Sequence, residues 1–346
     1  MSGIEFTEQG FWETMKIYGV ALIGCGHIGE EHMKRIYSKE NVRVEYVCDM
    51  DIQRAKAFQR RFCAAKAVTD SDVCIADSRV DIVIIAVYPS MHLALLKKCL
   101  AHHKHVICEK PIGKDLEEGK QFVELVKAHP DSKVLIGHIL RHNKTYQKAA
   151  ELIQSGQIGR PIVMRMVQNH HTMDRQRYLR LIEETSPLID CGVHYMDVMQ
   201  WFTGEKITEV SAIGMRVDPD VPQDKYNYAI ATVKLSGGSI GYYEAGWTNT
   251  ISAEDVKEFV GPSGRIRIVY AKDRLRNSEE GDMIELYHYP ERVYETINIP
   301  CDRKPCGEQF DYLVRMIEEG IPAVPSIDEV NESFDAVLEA DRIIRN

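Results

Sequence analysis

Residues 18–49 open with Tyr18-Gly19-Val20-Ala21-Leu22-Ile23 and continue Gly24-Cys25-Gly26-His27-Ile28-Gly29. Helical spacing follows over 30–38, then a second apolar run over 42–48 that stops at Asp49. Strand, glycine turn, helix, strand and acid is the order of a dinucleotide-binding unit. Gly24 permits a tight turn out of the strand. A side chain at Gly26 would hold a diphosphate away from the backbone, and Gly29 lets the helix lie close on the sheet. The diphosphate can then sit at the helix N-terminus, beside His27 and Ile28, where free N–H groups and the positive end of the helix dipole face it. Asp49 follows Gly29 at the distance of a ribose-binding acid. Its carboxylate can accept from both ribose hydroxyls and would repel a 2′-phosphate, so NAD is favoured over NADP. Met50 beside it supplies no cation, although Arg54 is near in sequence.

Outward from this unit the alternation continues. Residues 51–62 and 70–76 read as helices with a short strand at 65–68 between them. An all-apolar run over 82–87 then behaves as a strand buried on both faces. Further strands at 104–108 and 133–138, with helices at 91–102 and 116–128, complete a six-strand series. Strands alternating with helices of this length imply a doubly wound parallel sheet, a Rossmann domain over 17–139. From residue 140 the pattern changes. Helices are expected at 144–155 and 188–202, with a strand at 161–168 and a polar, arginine-rich stretch at 170–184 between them. Period-two runs with glycine turns over 207–299 suggest a mostly antiparallel sheet, and two helices close the chain. The reading is α/β overall: a nucleotide domain followed by an α+β domain over 140–346 with a large open mixed sheet. Residues 1–16 are an N-terminal extension without a place in either.

The chain has 346 residues, enough for two domains with cores of their own. A net charge of −9 argues against a nucleic-acid or anionic-membrane partner. No apolar run reaches the length of a membrane span, and the N-terminus lacks the layout of a signal peptide. The nine cysteines are scattered, odd in number and without a C-x-x-C pair, so they read as core residues in a reducing compartment. A cytoplasmic protein with no metal site is the expectation.

Two places carry reactive groups. Pro111 restricts the residue before it, so Lys110 of Glu109-Lys110-Pro111 stands on a rigid turn at the carboxyl end of a strand. An ammonium there could donate to a substrate oxygen and stabilise alkoxide character. Further on, Asp190 and His194 are i,i+4 neighbours on a helix, with Asp197 one turn beyond. A carboxylate beside an imidazole orients the ring and supports its protonated form, which suits a general base. Asp190 could equally be only the helix cap.

Taken in order, Gly24-Cys25-Gly26-His27-Ile28-Gly29, Pro89-Ser90-Met91-His92, Cys108-Glu109-Lys110-Pro111 and Asp190-x-x-x-His194-x-x-Asp197 resemble the motifs of the Gfo/Idh/MocA oxidoreductase family, which includes the inositol dehydrogenases. The similarity runs from about residue 16 to the end. It implies cofactor contacts at Pro89, His92, Glu109 and Lys110, and catalytic roles for Lys110, Asp190 and His194. It further implies hydride transfer at a carbinol of a sugar, sugar phosphate or cyclitol, and a C-terminal sheet that forms a homodimer or homotetramer. Substrate contacts are expected from Lys110, Asp190, His194 and Tyr178, with His142 and Asn143 as further candidates. His170, His171, Arg175, Arg177 and Arg180 lie in the stretch where such enzymes meet substrate, and so many cations would suit an acidic or phosphorylated sugar. The chain departs from the family at residues 183–189, where many members have a glycine-rich lead-in, and at Ser90, where asparagine is common. Two other readings are an NADP-dependent dihydrodiol, imine or deoxysugar reductase, and a non-catalytic protein that senses NAD or sugar.

Overall fold

The computed structural model describes residues 16–169, 175–274 and 281–346. Residues 1–15, His170, His171 and the side chain of Arg175 lie outside what is described. The first sheet is parallel and six-stranded, in the order β3-β2-β1-β4-β5-β6. Its strands are β1 (Tyr18–Ile23), β2 (Val42–Cys48), β3 (Lys66–Val68), β4 (Ile82–Ile85), β5 (His105–Cys108) and β6 (Val134–Ile136). The order reverses direction between β1 and β4, which opens a crevice at their carboxyl ends. Every residue of β1, β4 and β6 is buried, as strands covered on both faces must be. The helices are α1 (His27–Ile36), α2 (Ile52–Arg61), α3 (Ser71–Ile75), α4 (His92–Ala101) and α5 (Leu116–Ala128). Asp51, Asp70 and Asp115 cap α2, α3 and α5 through their carboxylates.

After β6 come α6 (Lys144–Gln154), β7 (Val163–Asn169), α7 (Arg175–Glu184) and α8 (Pro187–Thr203). The arginine-rich stretch thus contains a helix. Tyr178 and Ile182, one turn apart, are buried with Val221 and Trp247 while Arg177 and Arg180 face outward. Seven further strands follow: β8 (Ile207–Met215), β9 (Tyr228–Leu235), β10 (Ile240–Gly246), β11 (Glu254–Gly261), β12 (Gly264–Val269), β13 (Asp282–His288) and β14 (Val293–Ile299). With β7 they make an eight-stranded sheet ordered β14-β13-β12-β11-β7-β10-β9-β8, parallel only between β7 and β10.

One face of this second sheet is covered by α6, α8 and α10 (Ile327–Arg345). On the other face Val163, Ile213, Met215 and Ile240 are exposed. Tyr243 and Trp247 point inward and are buried, while Tyr242 turns to the open face. The last helices fold back toward the first domain. Phe310, Leu313 and Val314 of α9 (Cys306–Glu318) join the core of Val20 and Leu22 from β1, and α10 touches α5 where Phe334 lies against Gly119. Helices α9 and α10 thus tie the second sheet to the first domain, and α8, packed against α10, carries the Asp-x-x-x-His motif.

Candidate active site

The glycine turn is built as close packing requires. Gly24 has φ +102, and a Cβ there would stand 2.2 Å from the carbonyl oxygen of Ala86. A Cβ on Gly29 would meet the Gly24 oxygen at 2.1 Å. At Gly26, by contrast, nothing lies within 4 Å of the position a Cβ would take. That open space faces the start of α1, whose N-cap is Gly26 and which has no side-chain cap. The free N–H groups and the open backbone fit the diphosphate of a dinucleotide.

Asp49 is fixed beside this turn. Its Oδ2 accepts from the Cys25 N–H at 2.9 Å and its Oδ1 from the Asp51 N–H at 2.9 Å. The Arg54 guanidinium stands 3.7 Å from the same carboxylate, half exposed, and Met50 projects into solvent. An acid suited to a ribose and a cation suited to a phosphate are neighbours here. His27 at the start of α1 accepts from the Lys304 ammonium at 2.6 Å, a contact across 277 positions that sequence spacing does not signal. Burial, Lys304 and Arg177 hold the His27 imidazole below its ordinary range, so it is a neutral acceptor.

Pro89 and His92 start the turn and helix after β4, and both are buried. His92 places Nδ1 2.8 Å from the Pro111 carbonyl oxygen and Nε2 3.0 Å from that of Val87. It braces the turn after β4 against the turn that carries Lys110. Glu109 is turned inward as well. It accepts from His32 Nε2 of α1 at 2.8 Å. Burial alone would push His32 down, but Cys306 and Glu109 beside it carry it up to about 10, so the pair is an ion pair of imidazolium and carboxylate.

Lys110 faces the crevice. Its Nζ donates to Asp190 Oδ1 at 2.6 Å and to the Asp190 carbonyl oxygen at 2.8 Å. The side chains keep 16% and 21% exposure, so both groups remain reachable. Burial disfavours the ammonium, but the Asp190 carboxylate outweighs it and raises Lys110 above its ordinary range. Helix α8 is capped by the Ser186 hydroxyl, with Pro187 at its first position. Asp190 is thereby free of the capping role and available to Lys110. Cys191 beside it donates to Asp190 Oδ2 at 3.4 Å.

His194 lies one turn further, half-buried on the same helix. Burial, Lys110 and His138 hold it well below its ordinary range. The sequence suggested that Asp190 would favour the charged imidazole. The Asp190 carboxylate is instead paired with Lys110, and the charge that bears most on His194 is that ammonium, so the ring is a neutral base. Asp197 is drawn elsewhere too. Buried at 1% exposure, it accepts from Arg141 Nε at 2.8 Å and Nη2 at 2.7 Å, and Arg141 also reaches Glu329 of α10 at 3.1 Å.

Of the remaining expected substrate residues, Asn143 is the N-cap of α6. Its Oδ1 accepts from the N–H groups of Thr145 and Tyr146, and its Nδ2 donates to the Asp302 carbonyl. His142 is buried against the Tyr312 ring, centroids 5.1 Å apart. Tyr178 packs edge-on to Trp247 in the small cluster that also touches Cys191. Lys257, absent from the sequence reading, is fully buried beneath this region, donating to Asp255 Oδ1 at 2.6 Å with its ammonium 4.5 Å from the centre of the Tyr195 ring. Among the described residues no cluster of metal-binding side chains occurs, and no helix is long and apolar enough to cross a membrane.

The family model for the oxidoreductase family with an NAD-binding Rossmann fold matches residues 18–138, and that for the GFO/IDH/MocA C-terminal domain matches residues 146–267. The chain is 28% identical over 311 residues to inositol 2-dehydrogenase 2 of Mycolicibacterium vanbaalenii, covering 89% of this chain and 86% of that one. It is 27% identical over 258 residues to the inositol 2-dehydrogenase of Acidothermus cellulolyticus, covering 74% of each. In fold it is similar to the myo-inositol 2-dehydrogenase of Lactobacillus plantarum, with a TM-score of 0.80 at 19% identity over 95% of this chain and 97% of that one. It is similar as well to a 3-ketoreductase from Actinomadura kijaniata in complex with TDP-benzene and NADP, with a TM-score of 0.78 at 16% identity over 96% and 98% of the two chains. With both halves matched in order, this chain is a member of the Gfo/Idh/MocA family of oxidoreductases, an enzyme built on an NAD(P)-binding Rossmann domain.

Proposed function

We propose that the chain is an NAD-dependent dehydrogenase that oxidises a secondary alcohol of a cyclitol or related sugar, with residues 17–139 holding the dinucleotide and 140–346 the substrate. The observation that carries this reading is the contact of Lys110 with Asp190 at 2.6 Å, with a neutral His194 one helical turn away. The names of the relatives, inositol 2-dehydrogenases, support the substrate class. Gly24, Gly26, Gly29 and the start of α1 would hold the diphosphate, and Asp49 the adenosine ribose. A bound nicotinamide supplies the hydride acceptor. Lys110 donates a hydrogen bond to the substrate oxygen and stabilises the negative charge that gathers on it, while Asp190 fixes the ammonium in place. His194 takes the hydroxyl proton, and its neutral state at pH 7 leaves it free to do so.

One observation favours a second cofactor. Arg54 at 3.7 Å from Asp49 could turn to a 2′-phosphate, which would make the enzyme tolerant of NADP. The exposed apolar residues of the eight-stranded sheet, among them Ile213 and Met215, support self-association of two or four copies through that face.

The experiment is a screen of inositols, sugars and sugar phosphates with NAD⁺ and NADP⁺ at mildly alkaline pH, read by absorbance of the reduced cofactor. Turnover of an inositol with NAD⁺ is expected, falling at least ~100-fold in Lys110→Ala and in His194→Ala. Unchanged rates in both variants would end the assignment of roles. Tight NADH binding with no turnover of any compound would favour a sensor.

A further inference from the structure

Behind His194 stands a second imidazole that the reaction as described does not use. His138 follows β6, at the same carboxyl edge of the sheet as Lys110, and is 1% exposed. Its ring meets that of His194 edge to face, with centroids 5.5 Å apart and planes at 85°. Among the described residues, neither ring nitrogen of His138 has a hydrogen-bond partner, and the buried Nδ1 of His194 has none. On its far side His138 Nδ1 lies 3.7 Å from Asp197 Oδ2. Edge to face, one ring presents its face to the other, so an N–H···N bond between them needs that ring to turn about its Cβ–Cγ bond until a nitrogen faces its neighbour.

Resting on the reading of His194 as the base, we propose that His138 is a positioning and proton-holding residue acting through His194: as His194 Nε2 takes the substrate's hydroxyl proton, its Nδ1 proton passes to His138, whose Nδ1–H then faces Asp197. One O–H bond breaks, one N–H bond forms at His194 Nε2, and a second N–H bond is exchanged between the rings. The O–H pair becomes the second C–O bond of the carbonyl, and the C–H bond would break with its pair leaving as hydride, for which a bound nicotinamide would be the acceptor.

Electrostatics give the transfer its direction. A proton kept on His194 would sit beside the Lys110 ammonium, which disfavours the charged ring. On His138 it meets the Asp197 carboxylate as its nearest charge. Other charges bear on that ring. Arg141 and Lys110 oppose a proton there, and Glu109 favours one. Burial and these groups together hold His138 below its ordinary range. His138 is therefore the better place for the charge. The arrangement also moves positive charge away from Lys110 at the moment when Lys110 must hold the forming alkoxide.

The test does not depend on turnover. Protein labelled with nitrogen-15 histidine is titrated from pH 8 to pH 5 by NMR. The two rings are identified by signals lost in His138→Asn and in His194→Ala. The expected result is that His138 takes a proton ahead of His194 by about one pH unit or more, a tenfold preference. In His138→Asn, which keeps a polar group beside Asp197 but cannot hold a proton, His194 should remain neutral over the whole range. Protonation of His194 first, or of neither ring before the fold is lost, overturns the proposal. An active His194→Ala enzyme would instead overturn the reading of the base, and the two failures are told apart.

Discussion

The ammonium of Lys110 stands 2.6 Å from a carboxylate oxygen of Asp190, eighty positions further along the chain. One residue hangs from the nucleotide sheet and the other from the helix that covers the second sheet, so the contact spans the crevice between them. Neither group is spent on folding alone. Helix α8 has its own cap in Ser186, and both side chains keep part of their surface open.

The first prediction concerns this pair. Asp190→Asn keeps the size of the side chain and removes the charge that fixes the ammonium. Steady-state kinetics should show kcat lowered by ~10²–10³-fold, with the dissociation constant of NADH within about twofold of the parent. Lys110→Arg should not restore Lys110→Ala activity, because a planar guanidinium cannot take the place of a point charge seated on two oxygens of one residue. An Arg variant with more than a tenth of parental kcat would argue against a positioned ammonium.

Cofactor choice follows from Asp49 and Arg54. Asp49→Ser removes the repulsion toward a 2′-phosphate and releases Arg54 from its carboxylate neighbour. Fluorescence titration should show NADPH binding tightened and NADH binding weakened, each by about tenfold, which corresponds to ~1.4 kcal/mol. Arg54→Ala in the same background should cancel the gain for NADPH and leave NADH unchanged. If NADPH binding does not respond to Asp49→Ser, another group sets the preference.

The nucleotide-binding unit was legible because its signals are local. Glycine turn, helix and acid lie within residues 18–49, and buried parallel strands announce themselves as apolar runs. The catalytic candidates were legible as motifs but not as a geometry. No spacing rule shows that Asp190 pairs with Lys110, eighty positions away. Asn143 was readable as a cap, since it stands just before a helix, and its two bonds to Thr145 and Tyr146 N–H groups are what such a residue makes. Tyr178 and Ile182 at i,i+4 carried the signal for α7, which the surrounding arginines hid. His138, Lys304 and Lys257 had no local signal. Their meaning lies in partners 59 to 277 positions away or in burial that only the assembled sheet creates.

A pH dependence of stability follows from His142. Burial pushes its imidazole down to about 4 from an ordinary value near 6.5. The folded protein thus favours the neutral ring, and the unfolded chain binds a proton first. The associated stability is present above pH 6.5 and is lost as pH falls from there through 4, on the order of 3 kcal/mol. Thermal melts between pH 7 and pH 4 should show a falling midpoint. The slope should be shallower in His142→Phe, which fills the place beside Tyr312 with a ring that cannot titrate. Equal slopes would assign the acid sensitivity to other groups.

The buried pair of Arg141 and Asp197 supplies the last prediction. Both are below 6% exposure, and two hydrogen bonds near 2.8 Å join them. Such a pair gives little net stability against an apolar pair of the same shape, but removal of one partner leaves a charge buried alone. Arg141→Met should therefore destabilise the fold by ~3–5 kcal/mol. Asp197→Asn should cost less, because the amide oxygen still accepts from the guanidinium and Glu329 still meets it at 3.1 Å. The double variant Arg141→Met with Asp197→Leu should recover much of the loss, since no unpaired charge remains. Urea unfolding of the parent, Arg141→Met, Asp197→Leu and the double variant closes the cycle, and additive losses would mean that the two side chains act independently.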